Sequence, residues 1–246
     1  MLLALPSTGL SSSVRLPGIP CISMIIGKPK KLKINLLLKI SKMPAEIQKT
    51  EDILKTFKNN LTALYGEGGS GKTTLCLMAT AEKIVNSQKV IYLDAESNFS
   101  AERFAQLLEN KEKINNVLVL KLKNFNFQHE QIKKLENIKN ISLIIVDSIT
   151  HFYRRLYRRK PEIARAMLGK QLSILRKISK SIPVIITGQV YSDMNKKILP
   201  LGNTIIKKFS DTLIELEKEP KRKLIIKKPE KKAFYFEIVN AGIKII

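Results

Sequence analysis

The sequence predicts an α/β domain: a mostly parallel central sheet with helices on both faces, closed by an antiparallel C-terminal extension. Three observations predict it. Between residues 61 and 190, short apolar runs of strand length alternate with stretches of helical periodicity, the pattern of a doubly wound sheet. A glycine-rich loop, Gly66-Glu67-Gly68-Gly69-Ser70-Gly71-Lys72-Thr73, joins the first such run to the first helix. After residue 210 the helical stretches stop and β-patterned runs follow one another.

Leu61-Thr62-Ala63-Leu64-Tyr65 is the first buried strand, and Thr74 to about Val85 the first helix, with Leu75, Met78, Ala79 and Ala81 near one side. Val90-Ile91-Tyr92-Leu93 is a strand bounded by Asp94. Ser100 caps a helix through Phe104, Leu107 and Leu108. Val117 to Leu120 is a strand, and Gln128 to Ile138 an amphipathic helix with Ile132, Leu135 and Ile138 three apart. Leu143-Ile144-Ile145-Val146 has the unbroken apolar character of a central parallel strand. Pro161 opens a long helix through Leu168, Leu172, Leu175 and Ile178, a position where proline is favourable. Pro183 to Val190 is a buried strand. Leu213–Leu216, Lys223–Ile226 and Phe234–Ile238 are strands, the first two joined by a turn that carries Pro220.

At 246 residues, 44% of them hydrophobic, the chain can bury a real core. No apolar run approaches the ~18 residues a membrane span needs. Cys21 and Cys76 are too few for a disulfide framework or a zinc site, which fits an intracellular protein, and Cys76 reads as a small core residue. Residues 1–43 differ from the rest: they hold seven Lys/Arg and no Asp or Glu. We read them as a poorly ordered basic leader, either an organellar transit peptide or a start placed too early with Met43 the true first residue, and 44–246 as the folded domain. The net charge of +23 has two readings, attraction to nucleic acid or a lysine-rich solvated surface.

The glycine loop follows a strand and opens a helix, the context in which its spacing has a mechanism. Glycines let successive backbone N–H groups turn inward onto phosphate oxygens, and the helix N-terminus adds its dipole. Gly66, Glu67, Gly68, Gly69, Ser70, Gly71, Lys72, Thr73 and Thr74 are thus expected to hold ATP. Lys72 would reach the β- and γ-phosphates, and the Thr73 hydroxyl would bind Mg²⁺. Asp147, directly after a central strand, is the expected second metal-side carboxylate. Glu96 is the expected base for the attacking water, with Asp94 its competitor. Gln189, closing another strand, is expected to sense the γ-phosphate.

From His151 to Lys160 five positive charges and three aromatics share ten residues without an acid. Arg154, Arg155, Arg158, Arg159 and Lys160 would neutralise phosphates, and Phe152, Tyr153 or Tyr157 would either stack on unpaired bases or pack on the core. The segment from Tyr191 to Gly202, with Lys196 and Lys197, is a second candidate DNA loop. The basic run from Lys218 to Lys232 is either a stripe on one strand face or a solvated hairpin. His129 and His151 read as surface residues, with no metal role.

Taken in order, these residues resemble the RecA/RadA recombinases. The likeness is carried by Tyr65 to Cys76, by Val90 to Glu96 with Glu102-Arg103, by Ile145 to Thr150 with Tyr153-Arg154, by Pro183 to Tyr191, and by Pro200-Leu201-Gly202. Within that family the chain is most similar to the short archaeal RadB group, over roughly residues 60 to 246. The resemblance implies a RecA-like P-loop NTPase core. It also implies an accessory role in homologous recombination and DNA repair, with ATP and DNA binding, feeble hydrolysis, and Gln189 coupling nucleotide state to the DNA loop after it. The implied partners are single-stranded DNA and a RadA-type recombinase or repair nuclease, with oligomers possible.

There are departures from the family pattern. Residues 44–60 cannot hold the N-terminal helical domain of full recombinases, and Phe57-Lys58-Asn59-Asn60 lacks the alanine of their Phe-x-x-Ala hook. Gly188 stands where asparagine is usual, and Gly202-Asn203 where Gly-Gly is frequent. Autonomous strand exchange is therefore not expected. Two alternatives keep the same core: a KaiC-type signalling ATPase, and a nucleotide-gated adaptor without DNA binding.

Overall fold

The computed structural model describes residues 53–54, 57–58, 60–85, 88–108, 110–192 and 198–246. The expected leader 1–43, Lys196 and Lys197 lie outside the described residues. The strands are β1 (Leu61–Gly66), β2 (Lys89–Asp94), β3 (Val117–Lys121), β4 (Ile141–Asp147), β5 (Val184–Gly188), β6 (Val190–Ser192), β7 (Ile198–Pro200), β8 (Thr212–Glu217), β9 (Lys223–Lys228), β10 (Lys232–Val239) and β11 (Gly242–Ile245). The helices are α1 (Lys72–Val85), α2 (Ala101–Gln106), α3 (Phe125–Lys134), α4 (His151–Tyr157), α5 (Pro161–Ile178) and α6 (Asn203–Phe209).

Among the described residues the main sheet runs β11-β10-β9-β8-β1-β5-β4-β2-β3. Pairing is parallel from β8 to β3 and antiparallel from β8 to β11. β4 and β5 are apolar almost throughout because both of their faces are covered. Leu64, Tyr92, Ile145, Ile185 and Ile214 join one buried layer, with α1 and the C-terminal strands. Ala63, Ile91, Ile144, Ile186 and Leu213 join the other, with α3, α4, α5 and α6. Among the described residues no helix is long and apolar enough to cross a membrane.

Local chemistry sets the helix starts. The Ser100 hydroxyl accepts from Arg103 N–H, and the Asn124 side chain accepts from Phe127 N–H. In α5, Pro161 and Glu162 stand in the first turn and Arg176 and Lys177 in the last, complementing the helix dipole.

Several boundaries differ from expectation. The Ser100-capped helix stops at Gln106, short of Leu107 and Leu108. The helix expected from Gln128 begins at Phe125, because Asn124 is its cap, and ends in a 3-10 turn at Leu135–Asn137. The strand expected over 183–190 breaks after Gly188, and Val190 starts a small hairpin with β7. Three elements had no strong pattern. α4 lacks a capping signal because the Thr150 hydroxyl accepts Gln189 N–H instead. α6 starts after Gly202, in the left-handed region with no side-chain cap. β11 is only four residues long.

The extension packs against the glycine loop at close range. A Cβ placed on Gly66 would lie 2.2 Å from the Leu216 carbonyl oxygen. A backbone neighbour cannot step aside, so Gly66→Ala is expected to destabilise the fold by roughly 2–3 kcal/mol. Urea denaturation of the two proteins checks this; equal midpoints would mean that β8 does not sit against the loop.

Candidate functional site

Strands running parallel present their carboxyl ends along one edge of the sheet, where ligands of open α/β folds bind. The loop after β1, Asp94 to Glu96 after β2, Asp147 at the end of β4 and Gln189 after β5 all stand there. Asp94 and Asp147 are register partners, and Ala95 N–H donates to the Asp147 carbonyl at 2.7 Å.

Gly66, Ser70 and Gly71 are buried, whereas Glu67, Gly68 and Gly69 form an exposed rim. Gly69 (φ 73°) and Gly71 (φ 107°) adopt backbone conformations that L side chains rarely take, which explains glycine at these two positions. Lys72 curls back so that Nζ donates to the Gly66 and Glu67 carbonyls, each at 2.8 Å. Burial pushes its ammonium below the ordinary lysine value, against the attraction of Asp147 and Glu96. A partly desolvated cation held by two carbonyls has room for an anion as partner. The Ser70 hydroxyl is buried without a hydrogen-bond partner, and nothing lies within 4 Å of a Cβ built on Gly68 or Gly69. An orphaned donor, an open rim and an ammonium group together fit a phosphate chain.

Asp147 is 4% exposed and each of its oxygens is engaged. Oδ2 accepts from Thr73 Oγ1 at 2.8 Å and from the Tyr92 hydroxyl at 2.7 Å, and Oδ1 accepts from Thr187 Oγ1. Burial, with Asp147 and Cys76 nearby, pushes the Tyr92 phenol well above its ordinary value, so it stays a donor. Thr73 and Asp147 thus form a compact oxygen pair suited to a hard cation such as Mg²⁺, which usually keeps several waters and phosphate ligands. Among the described residues no group of three or more His, Cys, Asp or Glu is arranged around a metal position.

Glu96 is held from several sides. Oε1 accepts from Ser148 Oγ at 2.7 Å and from Gln189 Nε2 at 3.0 Å, and His151 Nδ1 lies 3.9 Å away. Oε2 accepts from Asn98 Nδ2 at 3.1 Å. Asp94 is consumed locally, accepting from the N–H groups of Asn98 and Phe99. That leaves Glu96 as the half-exposed carboxylate after β2. Gln189 links onward: its N–H donates to Thr150 Oγ1 at 2.8 Å and its carbonyl accepts from Leu201 N–H at 2.8 Å.

Beside this network lies a cleft of about 440 Å³ lined by His151, Arg154, Arg155, Arg158, Arg159 and Gln189. The four arginines and Lys160 are exposed. Of the two readings for the aromatics of this segment, packing on the core holds for two of them: Phe152 is 8% and Tyr153 2% exposed, packed in the core beneath α4. Tyr157 is half-buried against Tyr153 and the Arg165 guanidinium. Both histidines, expected at the surface, are half-buried. In the basic C-terminal run, Lys227 pairs with Glu215 at 2.6 Å, Lys232 with Glu230 at 2.9 Å, and Lys228 Nζ donates to the Ser210 carbonyl.

Nothing in the sequence singled out Tyr92, Thr187 and Ser148 as partners of the two carboxylates. Tyr92 shares a strand face with Asp94, and Thr187 precedes Gly188-Gln189, but nothing local shows that either points at Asp147.

Residues 48–244 match the model of the Rad51 family. A protein of Methanococcus maripaludis (strain C5) named DNA repair and recombination protein RadB is 35% identical over 201 residues, covering 77% of this chain and 93% of its own. A protein of the same name from Thermoplasma volcanium is 31% identical over 229 residues, covering 86% of this chain and 95% of its own. A solved structure described as the crystal structure of the RadB recombinase matches with a TM-score of 0.66 at 31% identity, covering 79% of this chain and 96% of its own.

Proposed function

Because the chain belongs to the Rad51 family, and within it to the RadB group of DNA repair and recombination proteins, we propose that it is an intracellular accessory factor that binds ATP, Mg²⁺ and single-stranded DNA and hydrolyses ATP slowly. The observation that carries this reading is the unbroken set of contacts from loop to cleft. Thr73 touches Asp147, Thr187 links Asp147 to β5, Gln189 follows on β5, and Gln189 touches both Glu96 and the arginine-lined cleft.

Bound Mg²⁺-ATP would supply a γ-phosphoryl group for transfer to water. The loop amides and Lys72 would bind and neutralise the phosphates. Thr73 and Asp147 would hold the cation through the hydroxyl and through its water shell. Glu96 would take a proton from the attacking water, with Ser148 and Gln189 fixing its carboxylate. Any movement of Glu96 towards that water strains the Gln189 contact, and Gln189 is bonded to Thr150 at the start of α4 and to Leu201 beyond the small hairpin. Nucleotide state would reach both DNA segments by this route. The proposed protein partner is a RadA-type recombinase or a repair nuclease, since Phe57-Lys58-Asn59-Asn60 lacks the hook for assembly through the chain's own copies.

Glu96→Gln is expected to lower phosphate release by about 100-fold while ATP affinity stays within a factor of about three. Phosphate release and nucleotide binding, measured with and without single-stranded DNA across salt concentrations, test the whole reading. ATP binding without DNA binding would favour a signalling ATPase. ATP binding with release no faster than in Glu96→Gln would favour a nucleotide-gated adaptor.

A further inference from the structure

The turn between β8 and β9 lies beside the phosphate loop although 153 positions separate the two residues that meet there. Arg222 Nη1 donates to the Gly69 carbonyl at 2.7 Å. Its backbone is fixed, with the Arg222 carbonyl accepting Phe236 N–H at 3.1 Å. Leu216, at the end of β8, is held against Gly66. Lys223, next in the chain, lies over the Tyr235 ring. The side chain alone is left to move. Among the described residues no carboxylate lies within ion-pairing distance of Arg222, and Glu219 in the same turn is paired with Lys218.

An unneutralised guanidinium at the rim of a phosphate loop is a cation in want of an anion. A guanidinium carries five N–H donors in a planar fork, and one backbone carbonyl uses only one of them. Lys72 rests on the same loop's carbonyls from within, and Arg222 from without. Ser70 and Gly71 lie deep in the loop and Gly69 on its open rim, so a group held at Gly69 stands at the open side of the cradle. We propose that Arg222 binds the γ-phosphate of the nucleoside triphosphate in cis, delivered by the antiparallel extension of the same chain and braced on the Gly69 carbonyl. This rests on the proposed ATP site and adds to it a positioning residue that separates triphosphate from diphosphate.

The test is binding of ATP and of ADP, by calorimetry in Mg²⁺ buffer, to the wild-type chain, Arg222→Ala, Arg222→Lys and Lys72→Ala over a range of protein concentrations. Arg222→Ala is expected to weaken ATP by about 10-fold or more and ADP by less than about 3-fold. Arg222→Lys, which keeps the charge without the fork, is expected to fall between, and the thermal midpoint without nucleotide is expected to stay put. Equal losses for ATP and ADP would reduce Arg222 to a brace of the loop and overturn the proposal, as would unchanged ATP affinity. A loss seen only at concentrations where copies associate would place Arg222 in a neighbouring copy's site and overturn the cis assignment. Wild-type chain that binds neither nucleotide, or Lys72→Ala that binds both as well as wild type, would overturn the nucleotide site itself and Arg222's role with it.

Discussion

Lys72→Ala is expected to lower ATP affinity by about 100-fold or more, at little cost to the folded state. The ammonium group is partly desolvated, and its protein partners are two carbonyls of its own loop. A triphosphate would give it the opposite charge that burial withholds, so the loss falls on binding. Neutral carbonyls near an exposed rim can turn to water, and the change in unfolding free energy should stay within about 1 kcal/mol. Calorimetric titration with ATP, together with a denaturation curve, checks both halves. Unchanged affinity would remove the phosphate loop from the site.

The second large effect concerns DNA. Arg154→Ala, Arg155→Ala, Arg158→Ala and Arg159→Ala combined are expected to weaken single-stranded DNA binding by about 100-fold at physiological salt. Each phosphate neutralised on a single strand contributes about 0.7 to the slope of log affinity against log salt, so four lost contacts should flatten that slope by nearly 3. Both numbers come from one binding series across salt concentrations. All four side chains are exposed, so the fold should survive their removal. A slope equal to wild type would mean that the cleft does not meet the phosphate backbone. Affinity that falls without any change in slope would point to distortion of α4 instead.

Much of this was legible in the residues. The strands that position the site are continuous apolar runs. The loop combines its glycine spacing with a strand before it and a helix after it, which a chance turn rarely does. Glu96, Asp147 and Gln189 could be named because each closes or follows a strand pattern, and Lys72 and Thr73 because they end the glycine loop after one, so their common edge follows from the topology. The less legible parts depended on tertiary partners. α4 carries no cap because Thr150 spends its hydroxyl on Gln189, a residue 39 positions away. Phe152 and Tyr153 looked available for bases until helical geometry turned them inward, while their arginine neighbours stayed out. The donors on Asp147 come from β2 and β5 as well as from α1, and no local pattern announces a hydroxyl's direction.

The clasp between the C-terminal strands and the loop also bears on the order in which the parts of the site can assemble. Gly66 lies against Leu216, Gly69 is bonded to Arg222, Gly71 lies against Ile238, Met78 accepts from Ile243 N–H, and Arg103 donates to the Val239 carbonyl. Each pair joins residues far apart along the polypeptide. Long separations of this kind slow folding, because chain closure precedes the contacts that reward it. The cradle therefore closes only once these distant strands have docked beside it, so nucleotide consolidates a sheet that has already assembled.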